Sequence, residues 1–261
     1  MAGIVDSYKK IYENKKIHIG LFIIALVWTI SSMLLDIAAG KPHNHTQNIF
    51  DILFSFFVGA HSLQFLHNAL NNINCGVIPN FKEIKPKIFW GMLRLDIVWA
   101  IYAAAVVITS VVIYITLINT IIFPITILVI TAFVAIFVYY IYLAYAENLE
   151  TKGLFNIALI FKFIKPAFKE TLIKLCLFIL VTLLALLVCI LLYAAAAITG
   201  IDTMGYISGE YYVLDFVIIT LASYFMIITW YYAYPYSLID TYNEKIKPLL
   251  NGKEDINGEN V

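Results

Sequence analysis

Residues 171–198 read TLIKLCLFILVTLLALLVCILLYAAAAI and contain a single charged side chain, Lys174. A helix of about 20 residues rises about 30 Å, which is the thickness of the hydrocarbon core of a bilayer. This stretch is therefore long and apolar enough to cross a membrane as a helix. We expect the bilayer to be the solvent in which the chain folds.

The composition of the whole chain agrees with a membrane environment. Of its 261 residues, 62% are hydrophobic and 13% are charged, and the mean hydropathy is +0.88; soluble domains are only about 45–50% apolar. The formal net charge is zero, which excludes a nucleic-acid binder that relies on neutralising phosphates. The expected partners are the lipid bilayer, anionic lipids or other membrane proteins, and not nucleic acid.

Six apolar stretches are predicted to span the membrane. They lie at about 17–38, 49–70, 95–117, 121–146, 171–198 and 213–239. A signal peptide is an alternative for the first, but its apolar run exceeds the roughly 7–15 residues of a signal core. The sequence thus predicts an all-α polytopic membrane protein with one domain over residues 1–240. A tail follows over residues 241–261, and its distal part is predicted to be disordered.

Positive charges predict the orientation. The N-terminus holds four Lys and Arg residues, the 71–94 connector four, the 147–174 connector five and the C-terminal tail three, whereas the outward loops hold only Lys41. Because cytoplasmic loops are enriched in these residues, we predict a cell-membrane protein with both termini in the cytoplasm. Tyrosine-rich clusters at residues 139–142 and 231–234 fall near the cytoplasmic ends of two spans, which predicts an interfacial aromatic belt.

One tripeptide recurs along the chain. Ile-Lys-Pro occupies residues 84–86, 164–166 and 246–248, at spacings of 80 and 82 residues. A period of this size indicates a repeated unit of two membrane helices and a cytoplasmic connector. We expect three pseudo-repeated hairpins with short cytoplasmic interfacial helices, in which Pro86 and Pro166 each restart a helix.

The N-terminal residues form a short amphipathic pattern. Ile4, Val5, Tyr8, Ile11 and Tyr12 recur at helical spacing, and polar side chains occupy the other side. This predicts a helix that lies in the headgroup region.

The second span is the most polar of the six. His61, Gln64, Asn68 and Asn71 fall on one helical face, with His67 nearby and Asp51 towards the outer end. Polar groups at membrane depth are functional candidates, so His61, Gln64, Asn68 and Asp51 are one hypothesis for a polar pathway. The favoured alternative is hydrogen bonding between helices, with His67 to Asn71 at the interface.

Several cations are candidates for contacts with lipid headgroups. Arg94 and Lys174 occupy equivalent places at the starts of the third and fifth spans, which favours side chains that snorkel to the interface. The candidates are Lys82, Lys85, Lys87, Arg94, Lys162, Lys165, Lys169 and Lys174.

No cofactor or metal is expected. The outward side collects acidic groups and a His-x-His loop that could ligate a divalent cation, but this is a weak pattern, since positive residues are excluded from that side. The residues concerned are Asp36, His43, His45, Asp51, Asp202, Glu210 and Asp215. Phosphate-binding, protease and hydrolase motifs are absent, so we do not expect an enzyme.

Several short motifs resemble one known family. They are Pro79-Asn80-Phe81, Gly91, Tyr102, Ala144-Tyr145-Ala146-Glu147, Gly153, Phe155 and Ala158. On these residues, over about 17–240, the chain resembles the prokaryotic integral-membrane family named domain of unknown function 4013. The resemblance implies a six-helix bacterial or archaeal membrane protein without an established activity, and it transfers no catalytic residue.

The favoured function is a non-enzymatic scaffold, accessory or lipid-interacting protein of the envelope. The alternative is a transporter or permease subunit with a polar pathway along the second span. Transporters commonly break a span with Gly or Pro at matching places in their repeats. Here Pro124 and Pro235 lie near helix ends, so no span is expected to be broken at mid-membrane.

The predicted orientation can be tested with a topology reporter. A reporter that is active only in the cytoplasm is expected to be active when fused after Val261, because the cation distribution places that end inside. The same reporter inserted after His43 is expected to be silent. Enzyme activity of the fusions in whole cells is the measurement, and activity in the reverse pattern would contradict the topology.

Overall fold

The computed structural model describes the chain in seven pieces, nearly all of them helical. These pieces are residues 3–13, 15–38, 49–73, 86–116, 139–150, 157–198 and 213–250. Within them no residue belongs to a β-strand. The fold class of the described part is therefore all-α.

Six helices and one long C-terminal helical segment make up this part of the chain. The helices are α1 (Ile4–Tyr12), α2 (Lys15–Ala38), α3 (Ile49–Leu70), α4 (Pro86–Thr116), α5 (139–148) and α6 (Ile157–Ile198). The C-terminal helical segment covers residues 213–250. It is α-helical over Val213–Met226, π-helical over Ile227–Ala233 (the π segment), and then continues as short α and π turns to Lys247–Leu250. It thus runs past residue 240, where the sequence places the start of the tail.

Three of these helices are long and apolar enough to cross a membrane. The stretches are His18–Leu35, Lys165–Ala196 and Phe216–Leu250, and they coincide with the first, fifth and sixth predicted spans. Helices α3 and α4 cover the second and third predicted spans. Residues 121–138 of the fourth predicted span lie outside the described residues, so six spans and three hairpins stay a prediction.

The order of the contacts gives the relative directions of four helical segments. Helices α3 and α5 run parallel to the C-terminal helical segment, and α6 runs against it, as the order of their contacts shows. These contacts are His61–Tyr232 and Phe65–Tyr236 for α3, Tyr139–Tyr234 and Glu147–Tyr242 for α5, and Glu170–Lys245 and Phe178–Tyr234 for α6.

The core of the described residues is rich in tyrosine. Tyr140, Tyr232 and Tyr234 are each 0% exposed, so the prediction of an aromatic belt at the membrane interface is wrong for these residues. Tyr140 and Tyr234 pack between α5, α6 and the C-terminal helical segment, and Tyr232 packs against α3. The distal half of α6, by contrast, exposes leucine and isoleucine in nearly every turn among the described residues.

The three Ile-Lys-Pro copies have different structures. Pro86 is the first residue of α4, as predicted for a proline that restarts a helix. Pro166 lies inside α6, so the restart predicted there is wrong. The helix continues through it, although Pro166 lacks the N–H that would bond the carbonyl of Lys162. Pro248 lies in the last short turn, Lys247–Leu250.

Helix α1 is docked on the bundle. Ser7 and Ile11 are buried, whereas Val5 is 77% exposed, so the inward face is displaced from the predicted one. Ser7 can be buried because its hydroxyl donates to the carbonyl of Gly3 at 3.3 Å.

Helices α4 and α5 meet at a glycine. A Cβ atom added at Gly91 would overlap the ring of Tyr145, and the Tyr145 hydroxyl donates to the carbonyl of Lys87 at 3.1 Å. Gly91 and Tyr145 are two of the positions on which the family resemblance rests, and the structure brings them into contact.

Gly91→Ala is expected to lower the free energy of unfolding by about 1–3 kcal/mol, because the added methyl group would overlap the buried ring of Tyr145. Gly59→Ala is the matched control. Its Cβ would meet the terminal methyl of Met92 at 2.5 Å, and that flexible side chain can turn away. Thermal unfolding of the protein in detergent measures both, and equal losses would contradict this account of the contact.

Candidate functional site

The C-terminal helical segment changes its hydrogen-bonding pattern just before Pro235. In the π segment the backbone N–H of Tyr234 bonds the carbonyl of Thr229, five residues earlier. Pro235 has no N–H, so it cannot donate to a carbonyl of the preceding turn. A donor from another helix can bond the backbone at this point instead.

Helix α3 supplies that donor. The Ser62 hydroxyl donates to the carbonyl of Tyr231. Its neighbour His61 is joined through Nδ1 to the Tyr232 hydroxyl at 2.7 Å. Two consecutive residues of α3 thus bind two consecutive residues of the π segment, and all but Tyr231 are buried.

Helix α1 reaches the same segment from another side. The Tyr8 and Thr229 hydroxyls are 2.9 Å apart and share a hydrogen bond. The Tyr8 ring stacks on Phe178 of α6 with centroids 5.8 Å apart. Burial raises the pKa of Tyr8, and the bond with Thr229 opposes that shift. Helices α1, α3 and α6 therefore converge on the π segment or the turn that follows it.

Further along α3, a second polar junction joins α5. His67 Nδ1 lies 2.7 Å from the carbonyl of Ala146 and must donate to it, since a carbonyl only accepts. The Asn71 amide donates to the carbonyls of His67 and Glu147 at 2.9 and 3.1 Å. The carboxyl end of α3 is thus fixed to the end of α5.

The polar side chains of the predicted stripe on α3 do not all face the same neighbour. His61 faces the C-terminal helical segment, while Gln64 donates to Asn68 at 2.9 Å within α3. The Oε1 atom of Gln64 is buried and has no hydrogen-bond partner among the described residues. The side chain of Asp51 lies outside the described residues. A polar pathway through these four residues therefore stays a prediction.

A charged cluster fastens the end of the C-terminal helical segment to α5 and α6. Glu147 accepts from the Tyr242 hydroxyl at 2.7 Å and pairs with Lys247. Glu170 pairs with Lys245 at 2.5 Å and accepts from Thr241 at 3.3 Å. Ion pairs that are partly shielded from water and joined by further hydrogen bonds hold geometry better than isolated surface pairs.

Lys174 belongs to this cluster. Its ammonium donates to the carbonyl of Ser237 at 2.5 Å and to the Thr241 hydroxyl at 3.0 Å. Arg94, its predicted equivalent, is exposed. The prediction that Lys174 and Arg94 have equivalent surroundings is therefore wrong, because Lys174 lies on the side of α6 that faces the C-terminal helical segment.

The sequence places Tyr231 and Tyr232 in an interfacial tyrosine cluster and does not single out Ser62. A proline four residues after Tyr231 is a usable signal that regular helical bonding changes there. A lone serine on α3 is not, because its partner lies 169 residues away.

Among the described residues no group of three or more His, Cys, Asp or Glu side chains could hold a metal ion. The predicted outward ligands lie outside the described side chains. No family model, curated protein or solved structure matches this chain. The described site consists of hydrogen bonds and ion pairs between helices.

Ser62→Ala is expected to lower the free energy of unfolding by about 0.5–1.5 kcal/mol, since the Tyr231 carbonyl loses its bond to the Ser62 hydroxyl. Pro235→Ala restores a backbone N–H four residues after Tyr231 and is expected to reduce that loss. Thermal unfolding of the two single variants and the double variant in detergent measures the coupling.

Thr29→Ala is the matched control. Its hydroxyl bonds the Ala25 carbonyl at 2.9 Å within one helix, and that carbonyl keeps its backbone partner. If the changes in the free energy of unfolding caused by Ser62→Ala and Pro235→Ala simply add in the double variant, the role assigned to Ser62 is wrong.

Proposed function

We propose that this chain is a multi-pass protein of the cell membrane with six transmembrane helices and cytoplasmic termini. Three helices of sufficient length and apolarity support membrane residence. The rest of the topology is supported by the cation distribution and by the helix directions, since α3, α5 and the C-terminal helical segment run one way and α6 runs the other. The resemblance to the prokaryotic family predicts the same architecture.

Within that architecture we propose a non-enzymatic scaffold, accessory or lipid-interacting role. The observation that carries this is the use of the polar groups around the π segment. Ser62, His61 and Tyr8 each bond a residue of that segment. These bonds join helices that are far apart in sequence, so they favour a fixed framework over a water-lined path.

One observation favours the alternative of a transporter or permease subunit. The last helix contains the π segment and a turn at Leu238, and discontinuous or π-bulged helices often form binding sites in membrane proteins. His61, a residue that can carry a proton, lies against this irregular segment. A proton or cation pathway is therefore the second candidate.

Ion flux separates the two candidates. Proteoliposomes loaded with a pH-sensitive dye are expected to show no proton flux above protein-free liposomes under an imposed gradient. His61→Ala is expected to lower the unfolding temperature by several degrees without changing flux, because it removes the bond to Tyr232.

His18→Ala is the control, since it also removes a histidine–tyrosine bond, at 2.6 Å to Tyr224, but away from the π segment. Wild-type flux that His61→Ala abolishes at unchanged folded yield, while His18→Ala does not, would establish the transporter instead.

A further inference from the structure

One exposed face of α6 changes from basic to apolar along its length. Exposed Lys162, Lys165 and Lys169 lie on one side of the helix, within about 60° of one another at 100° per residue. The residues that continue the same face inward are exposed and apolar, namely Ile173, Leu180, Leu183 and Leu187. The opposite face is buried through Ala167, Thr171 and Phe178. The lysines therefore point away from the bundle.

Helix α4 repeats this arrangement. Its exposed face begins with Lys87, Trp90 and Arg94 and continues with exposed Ile97, Ile101, Ile108 and Val112. Its opposite face is buried through Ile88, Met92 and Leu95. Lys87 and Arg94 have the same spacing as Lys162 and Lys169, which is about two helical turns and about 10 Å.

Both basic faces lie at the same end of the bundle, because one short helix touches both. Tyr145 of α5 contacts α4 at Gly91 and bonds the Lys87 carbonyl. Tyr140 of α5 bonds Thr171 of α6 at 2.5 Å. We call the five cations Lys87, Arg94, Lys162, Lys165 and Lys169 the basic rim.

The basic rim differs from the other cations at this end of the molecule. Lys245 and Lys247 pair with glutamates and Lys174 bonds Ser237 and Thr241. None of the five rim cations takes part in the ion pairs between described residues. Their positive charge is therefore presented outward, directly above an apolar surface.

We propose that the basic rim binds the phosphate groups of anionic phospholipids in the membrane leaflet around α4 and α6. The proposal rests on the membrane residence proposed above and names the lipid class. Each apolar stripe ends in a band of cations that extends about 10 Å along the helix. This arrangement matches acyl chains below a negatively charged headgroup layer. Trp90, 58% exposed between Lys87 and Arg94, suits the same interfacial layer.

Native mass spectrometry of the full chain in detergent tests the proposal, with phosphatidylglycerol and phosphatidylcholine added at equal concentration. The wild type is expected to retain phosphatidylglycerol in excess. Lys87→Gln/Arg94→Gln and Lys162→Gln/Lys169→Gln are each expected to weaken its binding roughly five-fold per removed cation. Glycerol phosphate in solution is expected not to displace the lipid, because it lacks the acyl chains.

Lys9→Gln/Lys10→Gln is the matched control, since it removes two exposed cations of α1 that lead to no apolar stripe. Lys174→Gln is expected to lower the unfolding temperature and leave the lipid ratio unchanged. Equal retention of the two lipids, displacement by glycerol phosphate, or an equal loss in the control would overturn the proposal. Proton flux in proteoliposomes would contradict the scaffold role, but it would not change the expected excess of bound phosphatidylglycerol over phosphatidylcholine.

Discussion

The bond between the Ser62 hydroxyl and the Tyr231 carbonyl is the interaction on which much of this structure depends. Pro235 has no N–H to donate to the preceding turn, and polar groups among apolar side chains are costly unless they are hydrogen-bonded. The Ser62 bond also places the neighbouring His61 against Tyr232. It therefore joins the irregular backbone of the last helix to α3.

Hydrogen bonds, more than apolar contacts, explain why tyrosines occupy the core of the described residues. Lipid chains solvate apolar side chains as well as a neighbouring helix does, so burial of leucine in a bilayer gives little association. The distal half of α6 accordingly presents its leucines outward among the described residues. The tyrosines of the core instead bring hydroxyls that bond other helices, as Tyr140 does with Thr171 and Tyr142 with the Gly59 carbonyl. A tyrosine is therefore drawn inward where a leucine is not.

This difference also explains what could be read from the sequence. Hydropathy and spacing predicted α3 to within a residue at both ends, and the docked α1 was recognised as a helix, because these properties are local. The continuation of α6 through Pro166 and the burial of Tyr232 depend on neighbours far away in the chain. Of the residues that bond the π segment, only His61 is a predicted site residue. Its partner Tyr232 was interpreted as a residue facing the interface, because a single sequence does not state which helix faces which.

The same limit applies to the cations, and it has a consequence for function. A count of positive charge treats Lys169 and Lys174 alike, although they are five residues apart on α6. Lys174 faces Thr241 in the charged cluster at the end of the C-terminal helical segment, whereas Lys169 faces outward. Only cations on outward faces can contribute to the surface that a membrane meets, since those turned inward are already satisfied by protein groups. The acidic residues Glu147 and Glu170 therefore hold the last helix in place by pairing with Lys247 and Lys245. They leave the basic rim as the positive charge that α4 and α6 present outward.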